Sequence, residues 1–186
     1  DSKQYRKFTV DDLLFVEFKC LIEEMRYGMW SEVNYLVFVT NGKKMWRTYK
    51  DDYTVVAGDA LLVKKGANIA HQYHSEDYCA LMIFLPDYYI KNFMVRYANL
   101  TSDKSGLAAN QESDGVLRIE VDDFLLAYMK SLESYFGMAL RPQAEVIKLK
   151  FDELLLNFFT SPLHRKIASY FCALQSDQNT QLKMVM

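Results

Sequence analysis

The chain has 186 residues, of which 51% are hydrophobic, 15% aromatic and 25% charged, a length and composition that fit one compact domain with an appendage and exclude both two large domains and a disordered ground state. Its 22 Lys+Arg nearly balance 24 Asp+Glu, for a net charge of −2, without the basic excess of a stand-alone nucleic-acid-binding domain. No apolar stretch approaches the ~18 residues that span a bilayer, and no basic-then-apolar leader opens the chain, so a cytoplasmic location without a membrane partner is expected.

From Leu13 to Leu85 the pattern is that of strands. Residues 33–39 (VNYLVFV) are apolar almost throughout and stop at Asn41-Gly42, a dipeptide suited to a tight hairpin. Residues 44–49, 53–56, 60–63, 69–74 and 78–85 continue as short strands, separated by Asp51-Asp52, Ala57-Gly58-Asp59 and Lys64-Lys65-Gly66. This spacing predicts a small antiparallel barrel or sandwich. Residues 86–97 carry Tyr89, Ile90, Phe93 and Met94 at helical spacing, residues 99–115 read as an exposed polar loop, and residues 116–121 alternate as a last strand.

After Asp122 the period becomes helical. Asp122 or Asp123 caps a helix carrying Leu125, Tyr128, Met129, Leu132 and Phe136 up to Gly137. A second helix, from about Gln143 to Phe159, places Ile147, Phe151, Leu154, Leu155 and Phe158 on one stripe. Ser161-Pro162 starts a third, which is expected to end near Asp177. Three regions follow: a barrel over 1–121 including a short helix and loop at 86–115, a helical segment over 122–176, and a polar linker over 177–186.

The residues offer little to catalysis. His71 and His74 are three apart on a predicted strand and so face opposite sides of the sheet, whereas a strand chelate needs ligands on one face with a carboxylate beside them. His164 reads as a surface residue, and the position one turn later, where a zinc pair needs His or Glu, is Ala168. No Gly-x-Ser-x-Gly elbow, phosphate-binding Gly-rich loop or Cys-x-x-Cys pair occurs. The three cysteines, Cys20, Cys79 and Cys172, are scattered among apolar residues and read as reduced core thiols. No catalytic residue, metal or cofactor is therefore expected. Lys43-Lys44 and Lys64-Lys65 read as solvated loop pairs.

Aromatic residues are the unusual resource, with 13 Tyr, 12 Phe and 2 Trp. Small barrels either fill themselves with such side chains or enclose one ligand. If a pocket exists, Tyr35, Trp46, His71 and Tyr73 are its expected lining. The stripe Ile147, Phe151, Leu154, Leu155, Phe158 is either intramolecular core or a seam between two subunits. Because the barrel is expected to have its own core, the seam is the reading adopted.

In order, VNYLVFVTNG (33–42), YTVVAGDALLVKKG (53–66), LMIFLPDYYIKNF (81–93), VLRIEVDDFLLAYM (116–129) and EVIKLKFDELLLNFF (145–159) resemble the amino-terminal regulatory half of AraC/XylS-type transcription regulators. The likeness is greatest to the branch of the type III secretion activators. It implies an α+β fold, a cupin-like antiparallel β-barrel followed by helices used for homodimerisation, and a linker to a carboxy-terminal helix-turn-helix domain. By the same resemblance the 186 residues stop at that linker, DNA being contacted only through the domain beyond. Metal-dependent cupin enzymes carry a His-x-His pair and a Glu in their first motif, but residues 35–42 contain no His, and His71 comes two residues late after Gly66. The reading is a non-enzymatic sensory and dimerisation domain. Its partners would be a second copy of itself and either a small-molecule effector or a regulatory protein.

Overall fold

A computed structural model describes residues 5–20, 26–48, 50–72, 77–101, 114–138 and 142–183. Among them, ten strands pair antiparallel throughout. They are β1 (Tyr5–Val10), β2 (Leu13–Cys20), β3 (Arg26–Ser31), β4 (Asn34–Asn41), β5 (Lys43–Arg47), β6 (Asp52–Val56), β7 (Ala60–Val63), β8 (Gly66–Gln72), β9 (Tyr78–Leu85) and β10 (Val116–Ile119). One sheet has the order β1-β2-β9-β4-β7-β10 and the other β3-β8-β5-β6. The first strand, β1, lies upstream of the region that periodicity marked as β.

The chain turns at Asn41-Gly42 as predicted, with Gly42 at φ +77, but the turn is a corner between the two sheets and not a hairpin, since β4 pairs with β7 and β9 and β5 with β6 and β8. Only glycine fits there, since a Cβ would come within 2.5 Å of the Asp77 carbonyl oxygen. The Asn41 side-chain amide donates to that same oxygen at 2.7 Å, tying the turn to the start of β9.

Strand β4 runs through the middle of the larger sheet, and its residues 34–39 are all buried. Its alternate residues serve two cores. Tyr35, Val37 and Val39 face the space between the sheets with Trp46, Val55, Leu61, Val63 and Tyr78. Leu36 and Phe38 face the other way, beneath the helices, with Leu62, Leu81, Ile83 and Leu85. A continuously apolar strand is what burial on both faces requires.

The helices are α1 (Asp87–Arg96), α2 (Ala98–Thr101), α3 (Asp123–Gly137), α4 (Ala144–Thr160) and α5 (Arg165–Lys183), with a 3-10 turn at Pro162–His164. The Asp122 carboxylate caps α3 by accepting from the Leu125 N–H at 2.8 Å. The Ser161 hydroxyl accepts from the Leu163 N–H, with Pro162 opening the turn. Helix α5 does not end near Asp177 but continues to Lys183, no Gly or Pro intervening to stop it. Met184, Val185, Met186 and residues 102–113 lie outside the described residues.

The boundary at residue 121 does not separate two cores. Phe15 of β2 meets Phe151 of α4 edge-on at 5.9 Å, Phe8 of β1 packs on Phe136 of α3 at 4.7 Å, and Phe93 of α1 stacks on Phe159 of α4 at 5.7 Å. The helical stripe is thus the lid on the sheet's second apolar face. Ile147, Phe151, Leu154, Leu155 and Phe158 are each at most 1% exposed, which leaves a second subunit nothing to touch. This corrects the seam reading: each side chain gains about 1.5–3 kcal/mol by burial within its own chain.

Candidate functional site in the barrel interior

Three chain segments bring polar groups into the space between the sheets. Strand β4 supplies Tyr35, β5 supplies Lys44 and Trp46, and the segment before β10 supplies Asp114. On β5 the period of two sends Lys44 and Trp46 to the same face, and both are 2% exposed. Lys44 is therefore a buried residue of a strand and not part of a solvated loop. Its ammonium lies 4.5 Å from the Tyr78 ring centroid, 5.2 Å from Phe18 and 5.6 Å from Trp46. Those π-faces surround the ammonium within cation–π distance.

Tyr35 is 1% exposed, and burial pushes its phenol up to about 12, the nearby Trp46 N–H offsetting this only in part. Among the described residues neither the Tyr35 hydroxyl nor the Trp46 Nε1 has a partner in hydrogen-bond geometry. Two orphan donors in one buried space are costly, at roughly 1–3 kcal/mol each, unless an acceptor enters.

Asp114, 7% exposed, closes one edge of the interior. Its Oδ2 accepts from the Thr48 hydroxyl at 2.7 Å and the Tyr53 hydroxyl at 2.9 Å, and its Oδ1 accepts from the Gly115 N–H at 2.7 Å. Burial and this carboxylate together raise the Tyr53 phenol to about 12. Arg118 of β10 donates to the Thr54 carbonyl at 2.6 Å. These bonds join the edge of one sheet to the β5–β6 hairpin of the other.

Of the four residues expected to line a pocket, Tyr35 and Trp46 are brought together. His71 lies on β8, its backbone in register with Met45 and Arg26, while Tyr73 and His74 fall outside the described residues. Sequence reasoning places Tyr78 among the aromatics of the barrel strands without assigning it to the lining, and misses Lys44 and Asp114. Lys44 was findable, because it shares the alternation of Trp46. Asp114 carries no comparable signal inside a polar loop.

His164 is 1% exposed and not on the surface. Its ring meets Phe158 edge-on at 5.3 Å, and Nε2 lies 2.9 Å from the Glu120 carbonyl. The 3-10 turn points it inward, which the α-helical spacing did not foresee.

Outside the barrel, α1 and α4 border a groove of about 760 Å³ lined by Tyr88, Val95, Lys148 and Leu149 among others. Val95 and Leu149 are each 69% exposed. Beneath them Arg96 makes a two-armed ion pair with Asp152, at 2.8 and 2.9 Å, and Asp152 also accepts from the Tyr89 hydroxyl. Among the described residues no three His, Cys, Asp or Glu side chains gather as a metal site, and no helix is long and apolar enough to cross a membrane.

The sequence matches the ExsA N-terminal regulatory domain family over residues 34–170. No curated protein sequence matches it. Among solved structures, ToxT from Vibrio cholerae O395, determined bound to (E)-4-(8-methylnaphthalen-1-yl)but-3-enoic acid, superposes with a TM-score of 0.57 at 11% identity. That match covers 86% of this chain and 59% of ToxT. A cupin-2 domain protein from Shewanella frigidimarina matches 46% of the chain, and 82% of its own length, at 19% identity and a TM-score of 0.36. Protein NMB1881 from Neisseria meningitidis matches 46%, and 87% of its own length, at 14% identity and a TM-score of 0.37. With a cupin-like antiparallel barrel, helices laid across its larger sheet, and a family match spanning most of the sequence, the chain belongs to the ExsA N-terminal regulatory domain family and is a regulatory domain of the AraC type.

Proposed function

We propose that this domain senses a small-molecule effector inside its barrel and dimerises, as the non-enzymatic, cytoplasmic half of a bacterial transcription regulator. The observation that carries the sensing role is the pair of unpartnered buried donors, the Tyr35 hydroxyl and the Trp46 indole N–H. An effector with an acceptor oxygen and a flat apolar body would satisfy both and lie against Tyr78 and Phe84, which already frame Trp46 and Tyr35 at 6.5 and 5.6 Å between ring centroids. DNA would be met through a carboxy-terminal domain that follows α5 in the chain. A bound effector would then shift a two-state arrangement of barrel and helices.

With the stripe of α4 buried, dimerisation falls to its outer face. Val146 and Leu149, 40% and 69% exposed, and Val95 of α1 are apolar side chains that a second copy would cover.

A second reading is regulation by a protein partner, with no ligand pocket. It is favoured by the near-complete burial of Tyr35, Trp46 and Tyr78, which together occupy much of the interior. Native mass spectrometry of the purified 186-residue chain separates the two. A dimer carrying an organic mass supports the sensing role. A dimer without added mass, whose melting temperature no metabolite raises, supports the protein partner. A monomer overturns the dimer assignment.

A further inference from the structure

Asn34 opens β4 immediately before Tyr35, is fully buried, and faces away from the barrel interior that Tyr35 enters. Its amide joins four elements. Nδ2 donates to Asp87 Oδ1 at the start of α1 at 2.9 Å, and Oδ1 accepts from the Lys65 backbone N–H at 3.0 Å in the β7–β8 turn. The same Oδ1 accepts from the Tyr170 hydroxyl of α5 at 2.6 Å. The partners fix the orientation of the amide, because an N–H can only donate and a carboxylate can only accept. Asp87 Oδ2 in turn accepts from Lys65 Nζ at 2.6 Å. Lys64 Nζ stands 4.6 Å from the centroid of the Tyr170 ring, in a place where burial lowers its pKa.

The arms of this junction differ in what they would lose on opening. Freeing Asp87 takes from Nδ2 of the fully buried Asn34 its acceptor, whereas Oδ1 holds two donors and keeps the Lys65 N–H if Tyr170 leaves. Tyr170 is half-buried, so its hydroxyl can exchange Asn34 for water at small cost. The junction therefore opens most easily at α5, leaving β4, the turn and α1 together.

We infer that Asn34 couples the barrel interior to α5, with Tyr170 as the releasable contact. This rests on the sensing role proposed above and names its regulation. Consecutive residues of one strand face opposite ways, so a shift of β4 that brings Tyr35 to an acceptor moves the Asn34 oxygen relative to Tyr170. Coupling runs equally in reverse, by linkage, and can be tested without a ligand.

The test uses the 186-residue chain with Trp30, which is 74% exposed, changed to Phe, so that Trp46 is its one remaining tryptophan. Tyr170→Phe keeps the ring and its contact with Lys64 but removes the hydroxyl. Tyr89→Phe is the control, removing a helix-to-helix hydroxyl bond, to Asp152, that does not involve Asn34. In Tyr170→Phe, amides of α5 should exchange about three- to tenfold faster and Trp46 emission should shift, while Tyr89→Phe leaves Trp46 unchanged. Unchanged Trp46 emission in Tyr170→Phe, or an equal shift in both variants, overturns the coupling. A chain that shows the coupling yet holds no effector in native mass spectra, and whose melting temperature no metabolite raises, would refute the sensing role alone.

Discussion

Phe151 and Leu149 lie two residues apart on α4 and should respond oppositely to substitution. Phe151 is fully buried, with its ring 4.7 Å from Tyr89 and 5.9 Å from Phe15. Truncation to Ala removes a ring from a space lined by α1, α4 and β2, and the loss for such a site is about 3–5 kcal/mol. Against a whole-domain stability of about 5–15 kcal/mol, that is a large fraction. With a urea dependence of about 2–3 kcal/mol per molar, the midpoint should fall by about 1–2.5 M. Leu149, 69% exposed, should tolerate Asp with a stability change within about 0.5 kcal/mol. If the outer face of α4 is the dimer surface, Leu149→Asp gives a folded monomer in sedimentation, since a charge without a partner is unfavourable in an apolar seam. Circular dichroism in urea, run beside sedimentation velocity, measures both effects. A Phe151→Ala protein with an unchanged midpoint and a monomeric state would refute the reasoning, because it would put the stripe back at a subunit interface.

Gly42→Ala should cost more than about 2 kcal/mol and Gly58→Ala about 1 kcal/mol, as judged by thermal melts. Both glycines have positive φ, +77 and +92, but only at Gly42 would a Cβ strike backbone, whereas Gly58 opens onto free space. Tyr35→Phe should leave stability at neutral pH within about 1 kcal/mol of the parent, or raise it, because the hydroxyl removed has no partner. Above about pH 10 the parent should lose stability, since unfolded tyrosine releases its proton near 10 while Tyr35 holds it to about 12. That contribution is complete below pH 10 and disappears as pH rises toward 12, so urea midpoints of Tyr35→Phe should fall less over this range. Asp114→Ala should lower the melting temperature by removing the shared acceptor of Thr48 and Tyr53, at a cost of about 1–3 kcal/mol.

Strand and helix positions were largely readable because each carries its own local chemistry. The Asp122 cap and the Ser161-Pro162 start depend on neighbours within a few residues; the Asn41-Gly42 dipeptide marked its turn, but that the turn is a corner between sheets and packs on Asp77 is not local. What covers an apolar face is not local. The period of α4 correctly grouped Ile147, Phe151, Leu154, Leu155 and Phe158, yet a period says nothing of whether sheet or subunit lies opposite. The clue lay elsewhere, in residues 33–39 and 78–85, whose lack of polar alternation means two buried faces and therefore a helical layer above the sheet. Lys44 was misread for a related reason: paired lysines suggest solvent, but only Lys43 of the pair follows that rule. Composition pointed to a linker over 177–186, yet α5 runs on to Lys183, with no Gly or Pro to stop a helix already started.

The chain's first strand is fastened to a part of the protein that is made much later. Arg6 of β1 donates to the Phe136 carbonyl at the end of α3 at 2.8 Å, across 130 residues, and also pairs with Glu17 of β2. During synthesis, then, a nascent chain that has delivered the described strands and α1 still lacks the cover that α3 and α4 give to the sheet face of Leu36, Phe38, Leu81 and Ile83. Closing contacts of such long sequence separation is slow, and the interval is one in which chaperones, or a second nascent chain, can engage that surface before the helices do.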